Sequence, residues 1–476
     1  MSQSTNSSLL SFRASLAVII GSIIGAGLFM KPASMAAQLG SPLSLSLIWV
    51  VAGFFTLCGA LVYAELGAMM PQTGGLFVHF RNIFGNKTAF LYGWSAFAVI
   101  NTASVAAIAF VCASYMGKFI ALPELSELLV AKYAVTIPWL GKLFPLRDIG
   151  IKTLAILLVC FLTWLNTRSL KAGSWFQLMT SSLNMGILLL LVVGIFISDK
   201  GSVRNFYQST AVPVSGSLLT GWVAAMTGAF FAYDGWVNIV SMAGEVKDPQ
   251  RNIPRSLWTG VLVCIVMYLL VNQAYLYVLP IEKMSGSVLV ASDAIGQAWG
   301  YSASLLVALM IIAVTFGCVN GNIMATSRIT YAMGKEGVFA SWAGKTHPQF
   351  QTPGNALWLH GTWTSLLILT GSFDLLADMF VFVTWIAYAM GAIGIIYWRI
   401  KYPEKNRPYK IWGHPFTTIA FVSFSLFYLG ATIYKDVQLY HQGLQPVINS
   451  LLGLCITLLG LPVYFYYRKK NKGRSI

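Results

Sequence analysis

Charge is scarce in this chain: Asp, Glu, Lys and Arg make up only 10% of its 476 residues, against about a quarter in a soluble domain. Acid is scarcer still, with 15 Asp and Glu against 31 Lys and Arg. Cysteine is confined to Cys58, Cys112, Cys160, Cys264, Cys318 and Cys455, each inside an apolar stretch. None forms a CxxC or Cys/His pair, and none lies in a loop facing the exterior. That argues against an exterior disulfide framework and a metal site, and small buried apolar residues is the reading for all six. The five histidines, His79, His347, His360, His414 and His441, are scattered, mostly in or near loops. No nucleophile, acid or metal-ligand set converges, so neither an enzyme nor a cofactor or metal is expected.

Apolar residues are what the chain has in abundance, at 57% with a mean hydropathy of +0.70. Twelve apolar segments reach spanning length, at about 14–38, 43–70, 88–118, 149–166, 173–197, 217–242, 255–279, 294–333, 355–372, 375–398, 413–434 and 446–467. They leave no room for a sizeable soluble domain, so the expected fold class is all-α integral membrane with twelve transmembrane helices. The Ser-rich start lacks the basic region and brief apolar core of a cleaved signal. A net charge of +16 does not point to nucleic acid here. The bases gather on alternate connections, from Arg13 through Arg81, Arg168, Arg251, Arg328 and Arg399 to the run at 468–474, which is the positive-inside pattern. Both termini are therefore expected in the cytoplasm, with a multi-pass protein in the plasma membrane and its last tail against anionic lipid headgroups.

Two segments are interrupted. The first contains Gly21-Ser22-Ile23-Ile24-Gly25-Ala26-Gly27-Leu28-Phe29, with Lys31 and Pro32 close behind; the sixth contains Phe230-Phe231-Ala232-Tyr233-Asp234-Gly235-Trp236. Each has a plainer reading. Gly21 and Gly25 fit a small-xxx-small helix contact, and Asp234 could cap a packed kink. An unwound backbone in hydrocarbon is nevertheless tolerated only where it lines a cavity. If spans one to five (14–200) and six to ten (201–400) are two copies, the odd number of spans per copy inverts one against the other. The result is a five-plus-five inverted repeat with broken helices 1 and 6 and a site at mid-depth. Residues 1–13 then form the amino-terminal tail, 401–467 the last two helices and 468–476 a basic tail. Elsewhere, Glu65 near a helix end calls for a structural partner. The connection from Lys118 to Asp148, with Pro123, Pro138 and Pro145, suggests a short lid-like segment. The loop from Gly244 to Pro254 interleaves both charge signs, fitting either salt bridges or a solvated loop.

A helix that restarts mid-membrane begins with free N–H groups and positive dipole character. The N–H groups of Ala26, Gly27 and Leu28 could hold a carboxylate, while carbonyls around Ser22–Ile24 and Phe230–Ala232 could accept an ammonium group. Donors facing acceptors suit a zwitterion, that is, an amino acid. Its side chain would be read by Phe231, Tyr233, Trp236 and the third helix around Asn101–Val105.

These pieces, together with Tyr63–Gly67, Pro71–Gly75, Glu245 with Asn252-Ile253-Pro254, Asn320-Gly321, Ser327-Arg328, Lys335-Glu336-Gly337 and Arg407-Pro408-Tyr409-Lys410, resemble the amino acid–polyamine–organocation superfamily and, within it, the L-type amino-acid transporters. The resemblance runs from residue 14 to about 415. It implies alternating access and, usually, amino-acid exchange, with neutral substrates as the first expectation. It implies a substrate site at Ile23, Ile24, Gly25, Ala26, Gly27, Phe231, Ala232, Tyr233 and Asp234, with Phe231 similar to the aromatic that closes over the substrate. The family's lysine in the fifth helix is replaced by Asn184, and no base occurs between 172 and 199. Asn184, with Thr326 and Ser327 of the eighth helix, is therefore a candidate for ion coupling, leaving sodium, protons or plain exchange open. Asp234 stands where vertebrate members often have glycine, so it could read a substrate amine, a basic side chain or a proton. The outer loop after the third helix lacks the cysteine that ties vertebrate members to a heavy chain, so no disulfide-linked partner subunit is expected. A sodium- or proton-coupled symporter, or a sensor that binds without transport, remains the alternative.

Overall fold

The computed structural model describes residues 10–72, 74–168, 170–209 and 217–472, with the side chains of 170–183 and 470–472 outside that description. Most of the tail at 1–13, the hydroxyls of Thr180, Ser181 and Ser182, and the end of the basic tail thus lie outside the described residues.

The chain is almost wholly helical. In order it forms α1 (Phe12–Ile23), α2 (Gly27–Leu39), α3 (Pro42–Met69), α4 (Gly75–Phe84), α5 (Asn86–Met116), α6 (Glu127–Lys132), a hairpin of β1 (Val135–Ile137) and β2 (Gly141–Leu143), α7 (Ile149–Arg168) and α8 (Leu170–Ile197). There follow α9 (Leu218–Tyr233), α10 (Asn238–Ser241), α11 (Pro249–Val278), α12 (Ile281–Ser285), α13 (Val290–Trp299), α14 (Tyr301–Lys335), α15 (Gly354–Thr370), α16 (Phe373–Lys401), α17 (Phe416–His441), α18 (Asn449–Leu458) and α19 (Gly460–Lys472). Among the described residues, eight helices are long and apolar enough to cross a membrane, and α1 with α2, bent by 44° at their break, make a ninth candidate. The protein is therefore a multi-pass membrane protein.

Local chemistry sets the helix starts. Ser41 accepts from the Ser44 N–H and Pro42 follows at the first turn of α3; Ser372 accepts from the Leu375 N–H to open α16. Burial then sorts the helices. The apolar stretch of α5 is 83% buried and that of α16 78%, against 28% for α17 and 22% for the pair α18–α19. Small residues explain the central place of α5: Ala103, Ala106, Ala107, Ala109 and Ala113 are all buried and let neighbouring backbones come close.

Several expectations are refined. The apolar run at 294–333 is two helices, because Gly300 takes a φ of +84° and ends α13 before α14 begins. The connection after α5 contains a short helix and a β-hairpin. The hairpin reaches the 446–448 segment, where the Lys142 N–H donates to the Pro446 carbonyl, rather than the broken stretches. Glu65 does have its structural partners: Arg399 binds it through two nitrogens, Arg407 approaches to 3.8 Å, and the Ile411 N–H donates to it at 2.9 Å. The charged loop at 244–254 makes no ion pair among the described residues. Instead, Leu10 pairs with Val246 as a parallel bridge. Of the six cysteines, Cys58, Cys112 and Cys264 are buried, Cys160 and Cys318 half-buried and Cys455 exposed; all six are free thiols.

The helices define two ends. Arg13, Glu65, Arg81, Glu336 and Arg399 mark the basic end; Leu39, Lys118 and Phe373 mark the opposite one.

Candidate functional site

The two broken stretches meet. Between α1 and α2 the chain leaves the helix at Ile24, which is extended at φ −71°, ψ 102°. Between α9 and α10 it does so at Asp234, with φ −65° and ψ 160°. Gly235 then takes φ +106° and lies against the Ser22 carbonyl, where a Cβ would collide. Gly27 is as close to the other chain: a Cβ there would sit 2.6 Å from the Ala232 Cα. Glycine at both positions is thus what lets the two breaks cross in contact.

The freed backbone groups are largely accounted for. Tyr268 of α11 donates its hydroxyl between two carbonyls, Ile23 and Ala232, each at 2.8 Å. One hydroxyl proton serves one acceptor at a time, and each carbonyl keeps a second lone pair. The Ile24 carbonyl accepts from Asn184 Nδ2 at 3.2 Å. On the donor side, the first bond in this part of the chain is from Phe29 N–H to the Ala26 carbonyl at 3.2 Å. Ala26 supplies no side-chain cap. The N–H groups at the start of α2 are those that a helix leaves without internal partners.

Gly25 is the position with room. A Cβ there would find nothing nearer than the Ile23 carbonyl oxygen at 3.9 Å and Cys318 Sγ at 4.0 Å. Gly25, Ser22 and Asp234 are half-buried, whereas Ile23, Ile24, Ala26, Gly27, Phe231, Ala232 and Tyr233 are buried. Toward the basic end, Gly321 and Asn322 are half-buried and Asn238 is exposed. Toward the opposite end the path is covered. Phe231 packs edge-on against Phe373 and Phe380, with ring centres 5.7 and 5.8 Å apart.

Asp234 is held by Tyr388 of α16, whose hydroxyl donates to Oδ1 at 2.8 Å. Trp236, expected to read a side chain, is buried between Tyr63 and Tyr388 at 5.4 and 4.8 Å. Tyr233 turns away to donate to the Trp49 carbonyl at 3.1 Å. Asn101 closes a π-helical turn, Ala96–Asn101, inside α5, a distortion common at functional sites. The turn's loosened carbonyls are partly satisfied: Trp363 Nε1 donates to Ala98 at 2.8 Å and the Thr102 hydroxyl to Phe97 at 2.8 Å. Asn101 Nδ2 is buried with no partner among the described residues.

The candidates for ion coupling are not brought together. Cys318 is the α14 residue beside Asn184. Thr326 and Ser327 lie eight and nine residues further along the helix, about 12 Å by the helical rise. Their hydroxyls bond their own helix, Thr326 to the Asn322 carbonyl at 2.7 Å and Ser327 to Met324 at 3.4 Å. Tyr268, Tyr388 and Cys318 are the site neighbours that sequence reasoning missed. A tyrosine in an apolar helix carries no signal of its own until the packing partner is known.

Comparison with known proteins gives the family. The family described as amino acid permease matches residues 10–460. The chain is 29% identical over 460 residues to the serine/threonine exchanger SteT of Bacillus subtilis (strain 168), covering 96% of both chains. It is 30% identical over 468 residues to the large neutral amino acids transporter small subunit 2 of Homo sapiens, covering 96% of this chain and 80% of that one. It is 27% identical over 454 residues to the human cystine/glutamate transporter, covering 95% and 83%.

Proposed function

Because the chain belongs to the amino acid permease family, and is thus a membrane transporter of amino acids rather than an enzyme, we propose that it exchanges neutral L-amino acids across the plasma membrane by alternating access. The observation that carries this reading is the crossing of the two breaks, Gly27 against Ala232 and Gly235 against Ser22. It supports reading the N–H groups at the start of α2 and the carbonyls of Ile23 and Ala232 as a donor–acceptor pair matched to a zwitterion. In this reading the carboxylate sits at the N–H groups of residues 25–28, where Gly25 leaves room. The ammonium group takes carbonyl lone pairs beside Tyr268, and Phe231 covers the substrate.

The finer architecture belongs to the same proposal: twelve spans, with 14–200 and 201–400 as inverted halves, and the basic end in the cytoplasm with both termini. The buried aromatic cover over the opposite end and the half-buried polar groups toward the basic end support an inward-facing arrangement. Asp234 Oδ1 accepts from Tyr388 and its second oxygen keeps acceptor capacity, so lysine belongs in the test; a neutral substrate is favoured by the apolar rings of Phe231, Phe373 and Phe380 on the covered side. The exchangers and neutral amino-acid transporters among the relatives, by their names, are compatible with that choice.

The test is uptake of labelled serine, leucine and lysine into proteoliposomes, with and without unlabelled amino acid inside. The expected result is saturable uptake of a neutral amino acid, strongly stimulated by internal substrate. Saturable binding with no uptake would favour a sensor, and flux that never saturates would favour a channel.

A further inference from the structure

Lys31 is a buried cation one turn beyond the first break, with its side chain 4% exposed. Its stem runs across α9 at Gly228, where a Cβ would lie 3.5 Å from Lys31 Cδ and 3.0 Å from Met35 Cγ. Beyond that crossing, its Nζ reaches the first turn of α16. There it pairs with Asp374 Oδ1 at 2.8 Å and approaches Asp378 Oδ1 at 3.9 Å. On the way it lies over two rings, Phe373 at 4.7 Å and Phe231 at 5.8 Å. One ammonium group thus touches the short half-helix, the aromatic cover and the helix that the cover rests on.

The α16 side of this contact is held independently. Asp378 lies 3.8 Å from Lys435, which also pairs with Asp436 at 3.0 Å. Asn449 donates to Asp378, and the Ser450 N–H to Asp436. Asp374, by contrast, pairs with Lys31 alone among the described residues, and its side chain is 66% exposed. Lys31 is therefore the removable member of the cluster. A lysine buried this deeply cannot stay there uncompensated, because an unpaired charge in a low-dielectric site costs several kcal/mol. The contact has two favourable states: paired and covered, or parted with both groups in water.

We propose that Lys31 is a positioning residue of the outer gate, latching Phe231 and Phe373 over the substrate site through Asp374. This rests on reading Phe231 as the residue that covers the substrate. When the latch parts, α16 and α2 separate, the rings lose the cation between them, and the site opens toward the opposite end.

The test is a sided kinetic assay in proteoliposomes, measuring KM at each face for wild type, Lys31→Met, Lys31→Arg and Asp374→Asn. Losing the latch depopulates the outward-closed state. Lys31→Met and Asp374→Asn are expected to lower KM at the outer face and raise it at the inner face, changing their ratio by about tenfold. Lys31→Arg is expected to keep the wild-type ratio. Should Lys31→Met fail to fold, the exposed Asp374→Asn carries the test. Wild-type KM ratios in Asp374→Asn, or in both variants, would overturn the proposal. Gly25→Ala measured alongside separates the two ideas: if it retains full substrate binding, the site reading fails whatever the latch does.

Discussion

Two glycines two residues apart do different jobs at the first break, and substitution separates them. The sequence reading puts the N–H of Gly27 against a substrate carboxylate. The structure gives another reason for glycine there, since a Cβ would lie 2.6 Å from the Ala232 backbone and push the two breaks apart. Gly25 is the residue whose Cβ would fit without a clash, in ordinary van der Waals contact with the Ile23 carbonyl oxygen and Cys318 Sγ. Gly25→Ala is therefore expected to fold with a wild-type melting temperature and lose substrate binding by at least tenfold, the scale of one lost polar contact. Gly27→Val is expected to lose folded protein, read as a fall in the monodisperse peak on size exclusion. If Gly27→Val folds normally and Gly25→Ala binds normally, the breaks do not have the roles assigned to them.

At the scale of elements, two polar anchors at the basic end keep the connections in place. His79 on α4 is buried, its Nε2 3.4 Å from the Met70 carbonyl and its Nδ1 without a partner among the described residues. Burial pushes its pKa down from the ordinary 6.5 to about 4, the Met70 carbonyl opposing only weakly. Between those two values the unfolded chain takes up a proton that the native state refuses. The stability present above pH 6.5 therefore falls as pH drops toward 4, by up to about 3 kcal/mol, and changes no further below it. Thermal unfolding of the solubilised protein from pH 7.5 to 5 is expected to show this fall, and His79→Gln to flatten it; equal slopes would contradict the assignment. Glu65 ties the end of α16 through Arg399 and the loop at 403–415 through Arg407 and the Ile411 N–H. Glu65→Gln leaves two arginines under-compensated and is expected to cost about 3 kcal/mol, measured as a lower unfolding temperature.

The elements also show where the sequence was informative. Three glycines within a spanning run, and an acid beside a glycine in another, conflict with an unbroken helix, so both interruptions were legible. Glu65 was legible as a paired acid because an isolated one is too costly near hydrocarbon. The hydroxyl of Tyr268 between Ile23 and Ala232, and the pair Lys31–Asp374 across 343 residues of chain, were not. Such contacts are products of packing, and no local period announces them. The short strands after α5 were missed for the opposite reason: three residues are too few to display alternation.

For the molecule as a whole, the question left by the sequence is what moves with the substrate. Asn184 stands beside Cys318 and donates to the Ile24 carbonyl, so a neutral amide touches the broken stretch at the position where the family resemblance implies a lysine. A cation would be drawn to that point only while no ammonium stands there. Asn184→Lys is thus expected to abolish any sodium stimulation of uptake while leaving exchange intact. Sodium stimulation that survives the change would remove Asn184 from the coupling path.

The central claim is that backbone groups at two crossed breaks grip both charges of an amino acid. Equilibrium binding of a labelled neutral amino acid to the purified protein, in competition with its methyl ester and its N-acetyl derivative, tests it most directly. The account predicts that the parent amino acid competes and that each derivative is at least about a hundredfold weaker, as expected when a buried charged contact is lost. A derivative that competes as well as the parent would contradict it.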